Sequence, residues 1–148
     1  MHNEITWTEP LMESLSGGRG PAFADDDGFN PTWWRRNANF GPPEHQWRSY
    51  VWRGEEVARL LLACRFSSHL PTNLTPALMI WSFEVRGDLR CSGDHIGTRI
   101  IEQFEHEFDD EEIYVGPTSE SMSFWTRFGW PMCECDSCRG RDFIVRRP

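Results

Sequence analysis

A single mixed α/β (α+β) domain is the fold class this sequence predicts, on three observations. Its 148 residues suffice for about one packed core and not for two. Two adjoining runs at 46–53 and 56–66, rich in aromatic, Val and Leu residues and parted by Arg53-Gly54-Glu55, read as an antiparallel hairpin. From residue 77 the order becomes strand, helix, strand, helix, strand, and the two crossover helices require the first two of those strands to run parallel.

The elements follow in order along the chain. Residues 1–44 are expected to be an irregular N-terminal segment packing on a domain of 45–148. Ser16-Gly17-Gly18-Arg19-Gly20-Pro21 and Asp25-Asp26-Asp27-Gly28 break any long regular element there, leaving a short strand near Ile5 to Trp7 and a helical turn after Asn30-Pro31. Beyond the hairpin, two prolines and Asn73 make 70–76 a loop. In 77–85 only Ser82 and Glu84 are polar, the pattern of a central strand covered on both faces. After a loop at 86–95, apolar residues at Ile100, Ile101, Phe104 and Phe108 give the spacing of an amphipathic helix that starts near Gly97-Thr98. A short strand at 112–115, a helix at 117–128 and a last strand at 143–145 complete the domain.

Charge and composition narrow the function. A net charge of −8 repels phosphate backbones, so nucleic acid is not an expected partner, whereas a cationic substrate is. No apolar run approaches the roughly 20 residues a membrane span needs, and the first residues lack a secretory layout. A cytoplasmic location without membrane contact is therefore the expectation. Of five cysteines, Cys133, Cys135 and Cys138 crowd together, which suits a metal or reduced thiols better than a disulfide framework.

The segment 85–98 joins a buried strand to a helix, and an anion site belongs at such a junction. The first N–H groups of a helix have no partner within it, and the helix dipole adds roughly half a positive charge there. Glycines at 93 and 97 let the main chain approach a phosphate. In this segment Val85 is followed five residues later by Arg90, then by Ser92, Gly93, His95, Ile96, Gly97 and Thr98. Downstream stand Ile113-Tyr114-Val115 and a stretch from Ser121 through Phe124 and Trp125 to Gly129-Trp130.

Together these resemble the GNAT family of N-acetyltransferases, the acyl-CoA N-acyltransferase fold. The resemblance implies a central mixed, mostly antiparallel sheet with helices on both faces. It also implies a pyrophosphate of acetyl-CoA held by Val85, Arg90, Ser92, Gly93, His95, Ile96, Gly97, Thr98 and Phe124. The chain departs from the family in having two extra residues between Arg90 and Ile96, His95 in place of the first glycine of Gly-x-Gly, and Trp125 where many members carry an acidic tyrosine. An indole N–H is too weak an acid for that task.

Direct transfer to an amine, as the family performs it, needs alignment of two substrates, a proton acceptor and a polarised carbonyl. Glu84 is the candidate base, a salt-bridged glutamate being its plainer reading. His95 is a phosphate contact, a proton carrier or a simple loop residue. Tyr114 and Ser121 are the candidate replacements for the missing acid.

For the cysteines, structural zinc on Cys133, Cys135 and Cys138 stands beside reduced thiols. Cys64, Cys91, His69, His95 and a carboxylate are the candidates for a fourth ligand. Trp7, Trp33, Trp34, Trp47 and Trp52 either enclose a cationic acceptor, pack on the sheet or face a partner. The reading that results is an acetyl-CoA-dependent N-acetyltransferase acting on a primary amine of a small molecule or protein, with a homodimer left open. A catalytically inactive GNAT-like binding or regulatory protein, zinc-stabilised or not, is the alternative.

Overall fold

The computed structural model describes residues 3–15, 18–37, 39–70, 73–138 and 143–148. Six strands form one sheet in the order β1-β4-β5-β6-β7-β8, where β1 is Thr6–Thr8, β4 His45–Trp52, β5 Glu55–Phe66, β6 Ala77–Val85, β7 Ile113–Val115 and β8 Ile144–Arg146. A separate antiparallel pair, β2 (Met12–Leu15) and β3 (Gly18–Pro21), lies in the N-terminal segment. The helices are α1 (Pro31–Arg36), α2 (Ile96–Glu107) and α3 (Met122–Thr126). Every ladder is antiparallel except β6 with β7, which is parallel as the crossover through α2 requires.

Strand alternation decides what each face of the sheet covers. Tyr50, Trp52, Leu60, Leu62, Leu78, Ile80, Ile113, Val115 and Ile144 point to one side, where α2 presents Ile96, Ile100, Ile101 and Phe104 and α3 presents Trp125. The opposite side is divided. Trp47 and Leu61 are covered by Phe23 and by Trp34 of α1, while Met79, Tyr114 and Val145 pack against Cys133 and Cys138. Helices thus lie on both faces, and the sheet is mixed and mostly antiparallel. The β4–β5 hairpin closes on Arg53 and Gly54, both at positive φ (53° and 79°), a two-residue turn whose twist matches that of the strands.

The N-terminal segment is more regular than its composition implies. β1 extends the main sheet by pairing with β4, and the glycine-rich stretch expected only to break structure supplies strand β3. Asn30 caps α1 by accepting from the Thr32 N–H, with Pro31 in the first helical position. Arg59, fully buried on β5, stacks its guanidinium between the Phe23 and Phe29 rings at 4.4 and 4.1 Å and donates to the Ala24 carbonyl, so the segment is fastened to the sheet. α3 is shorter than the expected 117–128 helix. Thr118 and Ser121 explain this: each main-chain N–H is taken by the other's hydroxyl, which holds 118–121 in a turn. No helix among the described residues is long and apolar enough to cross a membrane.

Candidate active site

The parallel ladder between β6 and β7 is short, with Leu78, Met79 and Ile80 paired to Ile113, Tyr114 and Val115. Past Ile80 the strand β6 runs on to Val85, held by β5 on one edge only. Trp81 begins this departure. Ser82 pairs with Leu61 and Ile80 with Leu62, so Trp81 is an extra residue that bends β6 away from β7. Between the diverging strands opens a cleft of about 860 Å³, lined by Ile80 to Val85, by Val115 to Thr118, and by the starts of α2 and α3. The full burial expected for β6 therefore holds at its first four residues and fails at Trp81, which is 45% exposed at the cleft. Main-chain N–H and C=O groups on the free edge of β6 face this space.

The residues expected to hold an anion share one side of the cleft. Val85, Arg90, Ser92, Gly93, His95, Ile96, Gly97, Thr98 and Phe124 all line it. His95 occupies the N-cap of α2 in the left-handed region (φ 54°) and gives no side-chain cap, and the first main-chain bond of the helix runs from Arg99 N–H to the His95 carbonyl. The N–H groups of Ile96, Gly97 and Thr98 thus lack helical acceptors. Ile96 is buried in the core, so it anchors the turn and offers only its main chain. Gly97 serves close packing: a Cβ there would stand 3.0 Å from Phe124 Cε2 and 3.2 Å from Val85 Cγ2. Arg90 folds back along β6, with Nε donating to the Val85 carbonyl (2.9 Å) and a terminal nitrogen to Glu84 (3.1 Å), and stays half exposed.

Beside Arg90, the cleft lining continues through Glu84. Its carboxylate accepts from the Asn30 N–H (3.0 Å), the Trp33 indole N–H (2.8 Å) and Arg90, and its side chain is 10% exposed. Three donors occupy most of a carboxylate's accepting capacity. Glu84 therefore ties the N-terminal segment to β6, and Asn30 and Trp33 join the cleft through it. Of the other tryptophans, Trp47 stacks on Trp33 at 5.8 Å, and Trp34 and Trp47 meet Phe23 edge-on, so most of the indole surface packs on the sheet.

Tyr114 is not part of this site. Strand alternation turns it to the face opposite Ile113 and Val115, where it is fully buried and its hydroxyl accepts from the His69 N–H at 2.9 Å. Burial there raises its pKa above that of a free phenol. The chain's other tyrosine, Tyr50, is also buried, so no phenol reaches the cleft. Trp125 is 5% exposed and packs against Phe83 and Trp130 as part of the core. Ser121 does line the cleft, at the mouth of α3 with Thr118.

Sequence reasoning missed Arg127. One turn beyond Phe124 on the C-terminal side of α3, it reaches across to donate to Thr98 Oγ1 (3.2 Å), adding a second cation at the start of α2. Its signal was the spacing to Phe124, three residues away on a helix.

A second cluster lies on the far face of the sheet. Cys133, Cys135 and Cys138 surround His69, whose Nδ1 is 3.6, 3.6 and 3.0 Å from their sulfurs, and the four atoms all lie within 4.8 Å of one another. Such a group could hold a metal ion. Burial, and then the neighbouring Cys135 and Cys133, push the Cys138 thiol up to about 12. Of the other candidate ligands, Cys64 is separate on β5, while Cys91 and His95 border the cleft.

Comparison with solved structures identifies the architecture. The chain is similar to the N-acetyltransferase YlbP of Bacillus subtilis in complex with coenzyme A (TM-score 0.53, 19% identity over 69% of this chain and 67% of that one). It is also similar to an acetyltransferase from Thermus thermophilus (TM-score 0.57, 16% identity, 76% and 71% covered). A point mutant of KacT aligns over 96% of this chain and 94% of its own at 9% identity and a TM-score of 0.54. The fold is thus the GNAT, or acyl-CoA N-acyltransferase, fold. By sequence, no family model and no curated protein matches.

Proposed function

We propose that the chain is an acetyl-CoA-dependent N-acetyltransferase that acylates an amine in the cleft between β6 and β7. The observation that carries this reading is the divergence of the two strands after Ile80, which leaves one strand edge free beside an uncapped helix start. The fit to the co-substrate rests on chemistry: unpaired N–H groups at Ile96, Gly97 and Thr98, with Arg127 and Arg90 beside them, suit a pyrophosphate. The apolar walls at Ile80, Val85 and Phe124 suit a pantetheine arm. Acetyl-CoA, when bound, supplies the acetyl group as a thioester. Main-chain N–H groups on the open edge of β6 polarise its carbonyl.

The acceptor amine, on a small molecule or a protein, enters from the side of Trp33, Trp81 and Glu84, where two indoles favour positive charge. Glu84, paired with Arg90, is assigned the part of positioning that wall, and the proton of the attacking amine leaves through water. Ser121 is assigned a polar contact at the leaving-group end. No side-chain acid is required there, because a thiol of pKa about 8.5 departs as thiolate near neutral pH.

Two measurements test the reading. Acetyl-CoA at about 100 times its Kd should stabilise the fold by about 2.7 kcal/mol, a rise in melting temperature of roughly 5–10 °C. No shift at millimolar acetyl-CoA would end the proposal. Given a shift, release of free thiol on adding amines from a mixed panel separates an enzyme from a binding protein. Arg127→Ala should weaken coenzyme A by roughly threefold to tenfold, with a shallower salt dependence of Kd, since an exposed cation contributes modestly. An unchanged Kd and salt slope would remove Arg127 from the site.

A further inference from the structure

The His69 cluster is independent of the cleft, because it lies on the other face of the sheet. Three sulfurs converge on one nitrogen there. Nδ1 of an imidazole has a single lone pair or a single proton, so it makes a hydrogen bond with one of those sulfurs and not with three. A metal ion at the centre accounts for all of them. Zinc binds thiolate at about 2.3 Å and imidazole at about 2.0–2.1 Å, which in a tetrahedron sets sulfur and nitrogen about 3.6 Å apart. The Cys133 and Cys135 sulfurs stand at 3.6 Å from Nδ1, whereas Cys138, at 3.0 Å, lies inside the tetrahedral spacing and must move outward to take the ion.

The surroundings fit a closed structural site. Cys133 and Cys138 are 4% and 3% exposed, and the rings of Phe66, Tyr114 and Phe143 flank His69 at 5.4, 4.6 and 6.1 Å. Three thiolates and a neutral imidazole around a divalent ion leave one negative charge. Arg147, a cation beside the cluster, is itself paired with Glu112 at 3.2 Å. The main-chain N–H of His69 is held by the Tyr114 hydroxyl, which fixes the residue that supplies the fourth ligand.

We infer that His69 Nδ1 and the sulfurs of Cys133, Cys135 and Cys138 bind one zinc ion in a tetrahedral structural site. Soft thiolates with one imidazole select zinc over oxygen-seeking cations, and four protein ligands leave no open position for catalysis. The ion joins the end of β5 to the segment after α3, residues 64 apart in sequence, and so bridges the seam where β7 and β8 are attached by short ladders. Zinc here would steady the wall of the cleft from behind.

The test uses the whole chain, purified reduced and without chelator. About one zinc per chain should survive buffer exchange, and chelation should lower the melting temperature. Replacing zinc with cobalt should give the intense visible ligand-field bands of tetrahedral thiolate coordination. His69→Ala should weaken zinc by more than roughly a hundredfold, beyond the effect of losing an outer-shell partner. His69→Cys should keep the ion and shift the cobalt bands toward those of four thiolates. Less than about a tenth of an equivalent in folded, reduced protein given excess zinc would overturn the inference. So would a disulfide within the cluster in freshly prepared protein. Neither outcome depends on a variant folding, and neither bears on acetyl-CoA binding, which is read by its own thermal shift.

Discussion

Replacing Gly97 with leucine is expected to abolish coenzyme A binding while leaving the chain folded. A bare Cβ at this position already meets Phe124 and Val85 at 3.0 and 3.2 Å, and both neighbours line the cleft, so a larger side chain must push one of them into it. Overpacking costs about 1–3 kcal/mol, and removing a glycine from a helix returns up to about 1 kcal/mol, so the net loss of stability is small. Binding carries the larger effect. A Kd raised by at least about a hundredfold, or about 2.7 kcal/mol, is expected by calorimetry, with circular dichroism unchanged. Gly97→Ala should fall between, because its contacts ask for shifts of a few tenths of an ångström. A leucine variant that binds coenzyme A normally would show that the start of α2 is not where the pyrophosphate sits.

Glu56→Ala is expected to cost about 3–5 kcal/mol of stability. Glu56 accepts from both Nε and a terminal nitrogen of Arg59, at 3.1 and 2.7 Å, and the Arg59 side chain is only 2% exposed. Without it a guanidinium is left in the core with the Ala24 carbonyl as its remaining hydrogen-bond acceptor among the described residues. A fall in melting temperature of roughly 10 °C or more follows. Removing both charges, as Glu56→Leu with Arg59→Met, should be far milder than the single change, since a buried pair replaced by apolar groups is often neutral. If the single variant melted like the parent, the N-terminal segment would not depend on this pair.

Much of the sheet was legible because it obeys simple periods. The 46–53 and 56–66 runs and the 77–85 run became β4, β5 and β6 with small changes at their ends, and the Ile100, Ile101 and Phe104 spacing marked α2. The junction of β6 with α2 was legible too, since a strand, a glycine turn and a helix occur consecutively. What failed depended on contacts distant in sequence. Glu84 was open between a base and a salt-bridged glutamate, because its partners Asn30 and Trp33 lie 54 and 51 residues away. His69 was one of several candidate ligands because nothing local sets it 64 residues from Cys133. Tyr114 was a different kind of error. Alternation along Ile113-Tyr114-Val115 already turns it from its neighbours' face, and that rule applied to the sequence removes it from the cleft. The β2–β3 pair was hidden by glycines that ordinarily signal a break.

The three-pair ladder joining β6 to β7 also sets how the molecule opens. The β4–β5–β6 meander links segments close in sequence through long ladders, whereas β7 is held by three pairs on either side. Local opening follows such differences, so amide protons of β7 and β8 are expected to exchange faster than those of the meander in hydrogen-exchange measurements. The cleft thus has one wall on a strand held by a long ladder and the other on a strand held by three pairs on each side, so the two walls are fastened to the fold to different degrees.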